Sequence, residues 1–157
     1  YDMDEKTFAS TNEANLELAL NLDLGSSEFV YVRGKLMIKI NPIYFDLDKS
    51  YIRPDAELEL ERVVRIMQKY PELKINLGSH TDSRARDAYN WSLSTRRARS
   101  SKNWIVRQGI DPSRIKAEGF GETELVNKCS NGVNCSEDDH QLNRRTEFVI
   151  VNPEVIK

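Results

Sequence analysis

Two opposite charges beside a polar loop supply the most specific chemistry in this sequence. Asp82 closes the run GSHTD at residues 78–82, and Arg97 follows in a segment with helical character. An Asp at the carboxyl end of a strand and an Arg early in the next helix can face each other across a crevice, where open α/β sheets tend to bind ligands. Together they can bind a ligand that carries both an ammonium and a carboxylate. The alternative is a plain structural ion pair, because exposed pairs contribute little.

Other combinations of reactive side chains are weaker signals. His80, Asp82 and Ser94 suggest a hydrolase triad, but no nucleophile elbow is present and Ser94 is better used as a helix cap, so this alternative is rejected. Asp46 and Asp48 suggest a metal site or an acid–base pair, yet two carboxylates in one loop without further ligands are weak support for either. The sequence therefore predicts no catalytic residue, no metal and no cofactor.

The two cysteines, Cys129 and Cys135, lie in a turn-rich loop that contains Asn-Gly. An isolated pair in such a loop suits a local disulfide and hence an oxidising compartment. A zinc site would need more ligands than His140 and the distant His80 supply, so we consider it the weaker interpretation.

Composition sets outer limits on the function. The chain has 157 residues, 31% of them charged and 39% hydrophobic, which fits one soluble domain with some extra material. A net charge of -2 argues against a general nucleic-acid binder. No apolar stretch approaches the length that spans a bilayer. Because the sequence starts at Tyr1 without a signal peptide, we expect an excised fragment whose targeting information lies upstream.

Apolar periodicity and chain breakers predict the elements that position these side chains. Helices are expected to begin at Pro54, where a missing N–H costs nothing, and at Ser92 or Ser94, where a hydroxyl can cap. They should end before Pro71 and at Gly109. Strands are expected at residues 28–32, 36–40, 43–45, 74–77, 115–118 and 146–151. Loops are expected at residues 79–89 and 122–142.

This order of elements predicts an α/β (α+β) two-layer sandwich. Consecutive right-handed β-α-β units place both helices on the same face of a sheet, so the order β-α-β-α-β-β predicts helices packed on one face of a mixed sheet. Residues 43–45 should form the first central strand. We assign residues 1–34 to a linker or the tail of an upstream domain, and residues 35–157 to the domain itself.

From about residue 42 to residue 151, the chain resembles the OmpA C-terminal-like (OmpA/Pal/MotB) family of peptidoglycan-binding domains. Five ordered motifs carry the resemblance: YFDLDK at residues 44–49, GSHTD at 78–82, NxxLSxxRA at 90–98, GFGE at 119–122 and NRRTE at 143–147. The inserted cysteine loop resembles versions from the Bacteroidetes-type branch, whose domains often end long outer-membrane lipoproteins.

The resemblance implies a binding role without enzymatic activity. Such domains lie in the periplasm and hold the diaminopimelate of the peptidoglycan stem peptide non-covalently, which would anchor an outer-membrane protein or lipoprotein to the cell wall. By resemblance, Asp82 accepts the ligand's ammonium and Arg97 binds its carboxylate. The other ligand-binding residues implied are Thr81, Asn90, Leu93, Asp46, Asp48 and Arg144.

The resemblance also sets the expected location and partners. Peptidoglycan is the partner, no nucleic acid is involved, and the membrane is reached only through the upstream part of the parent protein. The expected location is the periplasmic face of the outer membrane. Two alternatives stay open: a protein–protein module of an envelope secretion or motility assembly, and a hydrolase acting on the same wall.

Overall fold

The computed structural model of the protein describes residues 28–156. Five strands form one sheet with the spatial order β1-β2-β5-β3-β4, in which β3 and β4 are parallel and the other neighbours are antiparallel. The strands are β1 (Phe29–Val32), β2 (Lys35–Ile38), β3 (Ile75–His80), β4 (Ile115–Gly121) and β5 (Thr146–Ile150). The helices are α1 (Pro54–Lys69), α2 (Asp87–Arg107) and α3 (Glu137–Asn143), with short 3-10 turns at Pro112–Arg114 and Pro153–Val155.

The first two helices and one face of the sheet share a single hydrophobic core. Strand residues Leu77 and Phe148 are buried in it together with Trp104 and Ile105 of α2. Helix α1 contributes the apolar stripe expected from its sequence, which consists of Ala56, Leu60, Val63, Val64 and Met67. The predicted two-layer α+β sandwich, with helices on one face of a mixed sheet, is confirmed. No helix within residues 28–156 has the length and apolar character needed to cross a membrane.

The first two expected strands are present at the start of the described sheet. Strands β1 and β2 form a hairpin whose turn residues Arg33 and Gly34 have φ values of 49° and 77°, as a tight primed turn requires. The boundary expected after residue 34 falls just inside this hairpin, so the described part of the sheet begins at Phe29. The linker or upstream tail was expected at residues 1–34, and residues 1–27 of that range lie outside the described residues.

The predicted strand at residues 43–45 is wrong. Within residues 28–156 this segment has no ladder partner, and the buried Ile43 is followed by the exposed Tyr44. The central place beside β3 is taken instead by β5, which comes from the far end of the chain. An apolar run predicts burial, but it does not identify the strand that supplies the hydrogen bonds.

Three boundaries near Asp82 also differ. Strand β3 continues to His80, and α2 begins at Asp87 instead of at Ser92 or Ser94. The loop expected at residues 122–142 ends in α3, which Ser136 caps by accepting the N–H of Asp139 at 3.2 Å.

Ser94 is therefore not a helix cap. Its Oγ donates to the Trp91 carbonyl at 3.0 Å and accepts the N–H of Gly121 at 2.9 Å, which joins α2 to β4. The two elements approach closely, because a Cβ on Gly119 would lie 2.2 Å from the Thr95 nitrogen. Ser94 fills a structural position at this contact.

Candidate functional site

A cavity of about 480 Å³ opens beyond the carboxyl end of β3. One wall is the segment at residues 43–48, which we call the site loop, and the opposite walls are the first half of α2 and the start of α3. Seven of the eight expected ligand-binding residues border it, namely Thr81, Asp82, Asn90, Leu93, Arg97, Asp48 and Arg144. The exception is Asp46.

Asp82 is a buried carboxylate held by two arginines. Only 8% of the residue is exposed, and its Oδ1 accepts the backbone N–H of Arg84 at 3.0 Å. Its Oδ2 accepts Nη2 of Arg84 at 2.9 Å and Nη1 of Arg144 at 2.7 Å. Burial raises the pKa of the Asp82 carboxyl, but the hydrogen bonds from Arg84 and Arg144 outweigh burial and lower the pKa to about 2. Asp82 is therefore ionised at neutral pH.

The two arginines continue to a second carboxylate. Glu137, the first residue of α3, accepts Nη1 of Arg84 at 2.8 Å and Nη2 of Arg144 at 2.6 Å. These bonds lower the pKa of Glu137, with Arg84 the larger cause. The four residues Asp82, Arg84, Glu137 and Arg144 close a ring of alternating charges, which we call the Asp82 network.

Arg84 and Glu137 were not among the residues expected at the site. Arg84 lies in the expected loop directly after Asp82, and its charge was visible as part of a basic cluster. Glu137 is distant in sequence, and only the cysteine loop and the short helix that follows it bring its carboxylate to the site. An ordinary acidic residue in a presumed loop gives no sequence signal for such a contact.

Arg97 lies on the same cavity but does not pair with Asp82. Its Nε donates to the carbonyl of Lys49 at 2.9 Å and its Nη2 to the carbonyl of Asp46 at 3.2 Å, while the guanidinium lies 4.8 Å above the Phe45 ring. Within residues 28–156 it forms no ion pair, and its Nη1 has no hydrogen-bond partner. Burial lowers the pKa of Arg97, although a guanidinium stays protonated at neutral pH.

Arg97 is thus a partly desolvated cation with one free edge. The alternative of a plain Asp82–Arg97 ion pair does not hold, since the carboxylate of Asp82 is engaged by other arginines. A charge withdrawn from water without a counter-ion is costly, and an anion in the cavity would offset that cost.

Asp46 contributes to the site through its backbone only. Its carboxylate is turned away from the cavity, where it accepts the Tyr51 hydroxyl and Nη1 of Arg53 at 3.3 Å. Its carbonyl, in contrast, accepts from Arg97. The expectation that the Asp46 side chain closes the pocket therefore does not fit the geometry, because Tyr51 and Arg53, in the segment directly before α1, engage this carboxylate.

The remaining expected residues shape the walls. Asp48 has a φ of 60° and accepts the Tyr89 hydroxyl, which ties the site loop to α2. The Asn90 amide donates to the carbonyls of Asp82 and Ala85, both at 3.2 Å, so it fixes the loop after β3. Thr81 donates to the Asp82 carbonyl at 2.9 Å, and Leu93 forms an apolar wall.

The disulfide predicted between Cys129 and Cys135 is present, with an S–S distance of 2.08 Å. The carbonyl of Cys129 accepts the hydroxyl of the buried Ser83, the residue that follows Asp82. Cys135 directly precedes Ser136, the cap of α3. The cysteine loop therefore packs against the site from the side of the Asp82 network. Bonded sulfurs are not thiolates, so this pair is not the kind of ligand set that zinc takes.

Residues 44–138 match the model of the OmpA family, which is more than half of the chain. The chain therefore belongs to the OmpA family. The matched range begins in the site loop and ends in α3, so it contains Asp82 and Arg97 but stops before Arg144.

Curated relatives share this region at moderate identity. Over 116 residues the chain is 38% identical to outer membrane porin F of Pseudomonas fluorescens, covering 74% of this chain and 32% of that protein. It is 33% identical over 87 residues to the peptidoglycan-associated lipoprotein of Brucella melitensis, covering 55% and 52%. It is also 39% identical over 119 residues to a protein named photosystem I P700 chlorophyll a apoprotein A2 of Gloeobacter violaceus, covering 74% of this chain and only 14% of that protein. The chain thus spans about half or less of each relative.

Solved structures share the fold. The peptidoglycan-associated lipoprotein from Burkholderia pseudomallei superposes with a TM-score of 0.60 at 22% identity, covering 69% of this chain and 88% of that one. The cell wall anchor of the T6SS from Pseudomonas aeruginosa gives a TM-score of 0.60 at 21% identity, covering 85% and 94%. At these identities the likeness extends to the fold alone.

Proposed function

We propose that this domain binds peptidoglycan non-covalently and thereby anchors the protein that carries it to the cell wall, at the periplasmic face of the outer membrane. The observation that carries the proposal is the free edge of Arg97 on the same cavity as the ionised Asp82. Relatives named outer membrane porin F and peptidoglycan-associated lipoprotein support it. The disulfide supports an oxidising compartment such as the periplasm.

The ligand we propose is the amino-acid head of diaminopimelate in the stem peptide. Its carboxylate would take the edge of Arg97 formed by Nη1 and the second hydrogen of Nη2, because the other edge is used by loop carbonyls. Its ammonium would contact Asp82. Within residues 28–156 the cavity is bordered by four arginines, numbered 84, 97, 144 and 145, and by three carboxylates, Asp48, Asp82 and Glu137. This balance suits a zwitterionic ligand with an additional carboxylate.

A binding module accounts for the site better than a wall hydrolase. The hydroxyl of Ser94 forms hydrogen bonds at the contact between α2 and β4. His80 is buried with its ring stacked on Phe120 at 5.0 Å, and its Nε2 lies 3.7 Å from a carboxylate oxygen of Glu147. The residues of the supposed triad are thus engaged elsewhere, and we propose that the domain is not an enzyme.

Co-sedimentation with purified diaminopimelate-type sacculi, with and without free diaminopimelate as competitor, tests the proposal. We expect the parent protein to sediment and the competitor to release it. Arg97→Gln should stay in the supernatant, because it removes the charge that faces the ligand carboxylate. The matched control is Arg96→Gln, since Arg96 is exposed and only donates to the Ser92 carbonyl at 3.4 Å.

Three results would contradict parts of the proposal. A parent protein that does not sediment would favour the alternative of a protein–protein module in an envelope assembly. A protein that clears the turbidity of sacculi would favour the hydrolase. Equal retention of Arg96→Gln and Arg97→Gln would remove Arg97 from the site.

A further inference from the structure

The carboxylate expected to receive the ligand's ammonium is already occupied. A carboxylate offers about four acceptor positions, and Asp82 uses three of them on the N–H and guanidinium of Arg84 and on the guanidinium of Arg144. An ammonium that approached Asp82 would have to share or replace one of these donors. Ligand binding at Asp82 is therefore an exchange of cations.

The two arginines differ in how firmly they are held. The side chain of Arg84 is 49% exposed and that of Arg144 is 32% exposed. Arg84 lies at 2.9 Å from Asp82, whereas Arg144 lies at 2.7 Å and comes from the segment directly before β5. Arg84 is attached to the loop after β3, so its side chain can swing outward without moving a strand. Arg84 is the donor that can leave.

Glu137 can remain paired with Arg84 after the guanidinium of Arg84 has left Asp82. Nη1 of Arg84 already lies 2.8 Å from Oε2 of Glu137, and Nη2 lies 3.4 Å from Oε1. If the guanidinium of Arg84 moves from its position between Asp82 and Glu137 to Glu137 alone, it remains paired with a carboxylate. The desolvated carboxylate of Asp82 meanwhile receives the incoming ammonium, so neither charge is left alone.

We propose that Arg84 is an internal competitor of the ligand: the ligand's ammonium displaces the Arg84 guanidinium from Asp82, and Glu137 retains the displaced side chain. This inference rests on the proposed function, since it concerns the same ligand at the same site. It makes Arg84 and Glu137 affinity-determining residues with opposite effects. The exchange does not alter the net charge of the protein. It favours ligands whose cationic group is compact enough to reach Asp82 past the guanidinium of Arg84.

Titration calorimetry with a diaminopimelate-type muropeptide tests this inference. Arg84→Gln should bind roughly fivefold more tightly than the parent, because one partly exposed ion pair no longer has to be broken. Glu137→Gln should bind roughly threefold more weakly, because the displaced arginine loses its second partner. Arg86→Gln is the matched control, since Arg86 carries the same charge in the same loop, is exposed and has no ion pair with described residues. It should bind like the parent.

The outcomes separate this inference from the proposed function. If Arg84→Gln binds more weakly, Arg84 contacts the ligand and the exchange is wrong. Unchanged binding by Arg84→Gln, or equal tightening by Arg84→Gln and Arg86→Gln, also overturns it and leaves the proposed function standing. A parent that binds no muropeptide overturns the proposed function and the exchange together. Far-ultraviolet circular dichroism of each variant checks that the fold is retained.

Discussion

Among residues 28–156, two buried carboxylates, Asp82 and Glu147, are each held by two arginines, and they differ in what surrounds them. Asp82 follows β3 in a loop, borders the large cavity and pairs with Arg84 and Arg144. Glu147 lies within β5, on the sheet face opposite the helices, where it pairs with Arg33 at 2.7 Å and with Arg145 at 2.8 Å. We call this second group, with His80 and Lys35 beside it, the Glu147 network.

The Glu147 network joins regular elements of the sheet. Arg33 belongs to the turn between β1 and β2, and Glu147 and Arg145 belong to β5 and its approach. Burial raises the pKa of the Glu147 carboxyl, but the nearby His80, at 3.7 Å, and the hydrogen bond from Arg145 outweigh burial and hold it well below its usual range. A buried charge that is fully paired between strands specifies the position of those strands relative to one another.

The comparison shows that pairing alone does not identify a binding site. The same two-arginine arrangement holds a hairpin beside a small cavity of about 160 Å³ at one place and borders the cavity of about 480 Å³ at the other. What distinguishes Asp82 is its position on a loop held by a rigid scaffold, beside an arginine whose guanidinium has a free edge. The two networks should therefore respond differently to the same kind of substitution, which the following predictions test.

Removing the charge of Glu147 should have the largest effect, and the effect should be on stability. Glu147→Gln leaves Arg33 and Arg145 without a carboxylate beside the sheet, and breaking a buried pair costs about 3 kcal/mol. Urea unfolding should show this loss, while the folded fraction still binds muropeptide. Glu118→Gln is the control, because Glu118 is exposed on β4 and its nearest cation lies at 3.9 Å. Equal stability of the two variants would contradict a structural role for Glu147.

Asp82→Asn should weaken ligand binding, whereas Glu147→Gln should lower stability. The amide keeps the shape of the side chain and loses the charge that receives the ammonium, which costs about 2 kcal/mol or roughly thirtyfold in the dissociation constant. Calorimetry against the muropeptide measures it. Asp138→Asn is the matched control, since Asp138 is an exposed residue of α3 that does not border the cavity. Retention of parental affinity by Asp82→Asn would remove it from the site.

The sequence predicted the elements whose signals are local. Pro54 and the pair Tyr70-Pro71 bound α1 where expected, and Gly109 follows α2 with a φ of 103°. The motifs predicted that Asp82 and Arg97 share one pocket, and both residues border the same cavity. In these cases the residue types themselves fix the backbone or carry the chemistry.

Properties that depend on distant partners were not predictable in the same way. The run at residues 43–45 looked like a central strand, but the hydrogen bonds of the neighbouring position are supplied by β5. Asp46 looked like a pocket residue, but Arg53 and Tyr51 hold its carboxylate. Glu137 reaches Arg84 through a helix that lay in a presumed loop. Sequence patterns reflect propensity and burial, and they do not determine which of several competing partners a side chain contacts.

The disulfide lies beside the Asp82 network and far in sequence from the β1–β2 hairpin whose Arg33 pairs with Glu147, so its removal should sharpen the comparison. Cys129 and Cys135 are separated by 6 residues, and closing so short a loop contributes about 2 kcal/mol in the chain-entropy model. The double variant Cys129→Ser, Cys135→Ser should lose about this much stability in urea and keep its sheet and helices by circular dichroism. Alkylation and mass spectrometry of the unreduced parent should find no free thiol. Two alkylated cysteines in periplasmic protein would contradict the bond.

Lowering the pH should protonate the carboxylate of Asp82 before that of Glu147. The resulting loss of stability should be the smallest of the predicted effects. The pKa of Asp82 is about 2 in the folded protein against 3.8 as its ordinary value, so the unfolded chain binds the proton more readily. The stabilisation is therefore complete above the ordinary value and is lost as the pH falls through the folded value. Glu147 has the more strongly depressed pKa and should protonate after Asp82.

Urea unfolding at pH 5, 4, 3 and 2 tests the contribution of Asp82. The arginines that hold Asp82 are exposed enough for solvent to screen them, so we expect this carboxylate to account for about 1 kcal/mol of the acid-induced loss. Asp82→Asn should lose correspondingly less stability than the parent between pH 4 and pH 2, because its amide does not titrate. Asp138→Asn should follow the parent. If Asp82→Asn and the parent lose stability in parallel, the arginines of the Asp82 network do not depress the pKa of Asp82, and the contrast between a titrating loop site and a deeper structural network fails.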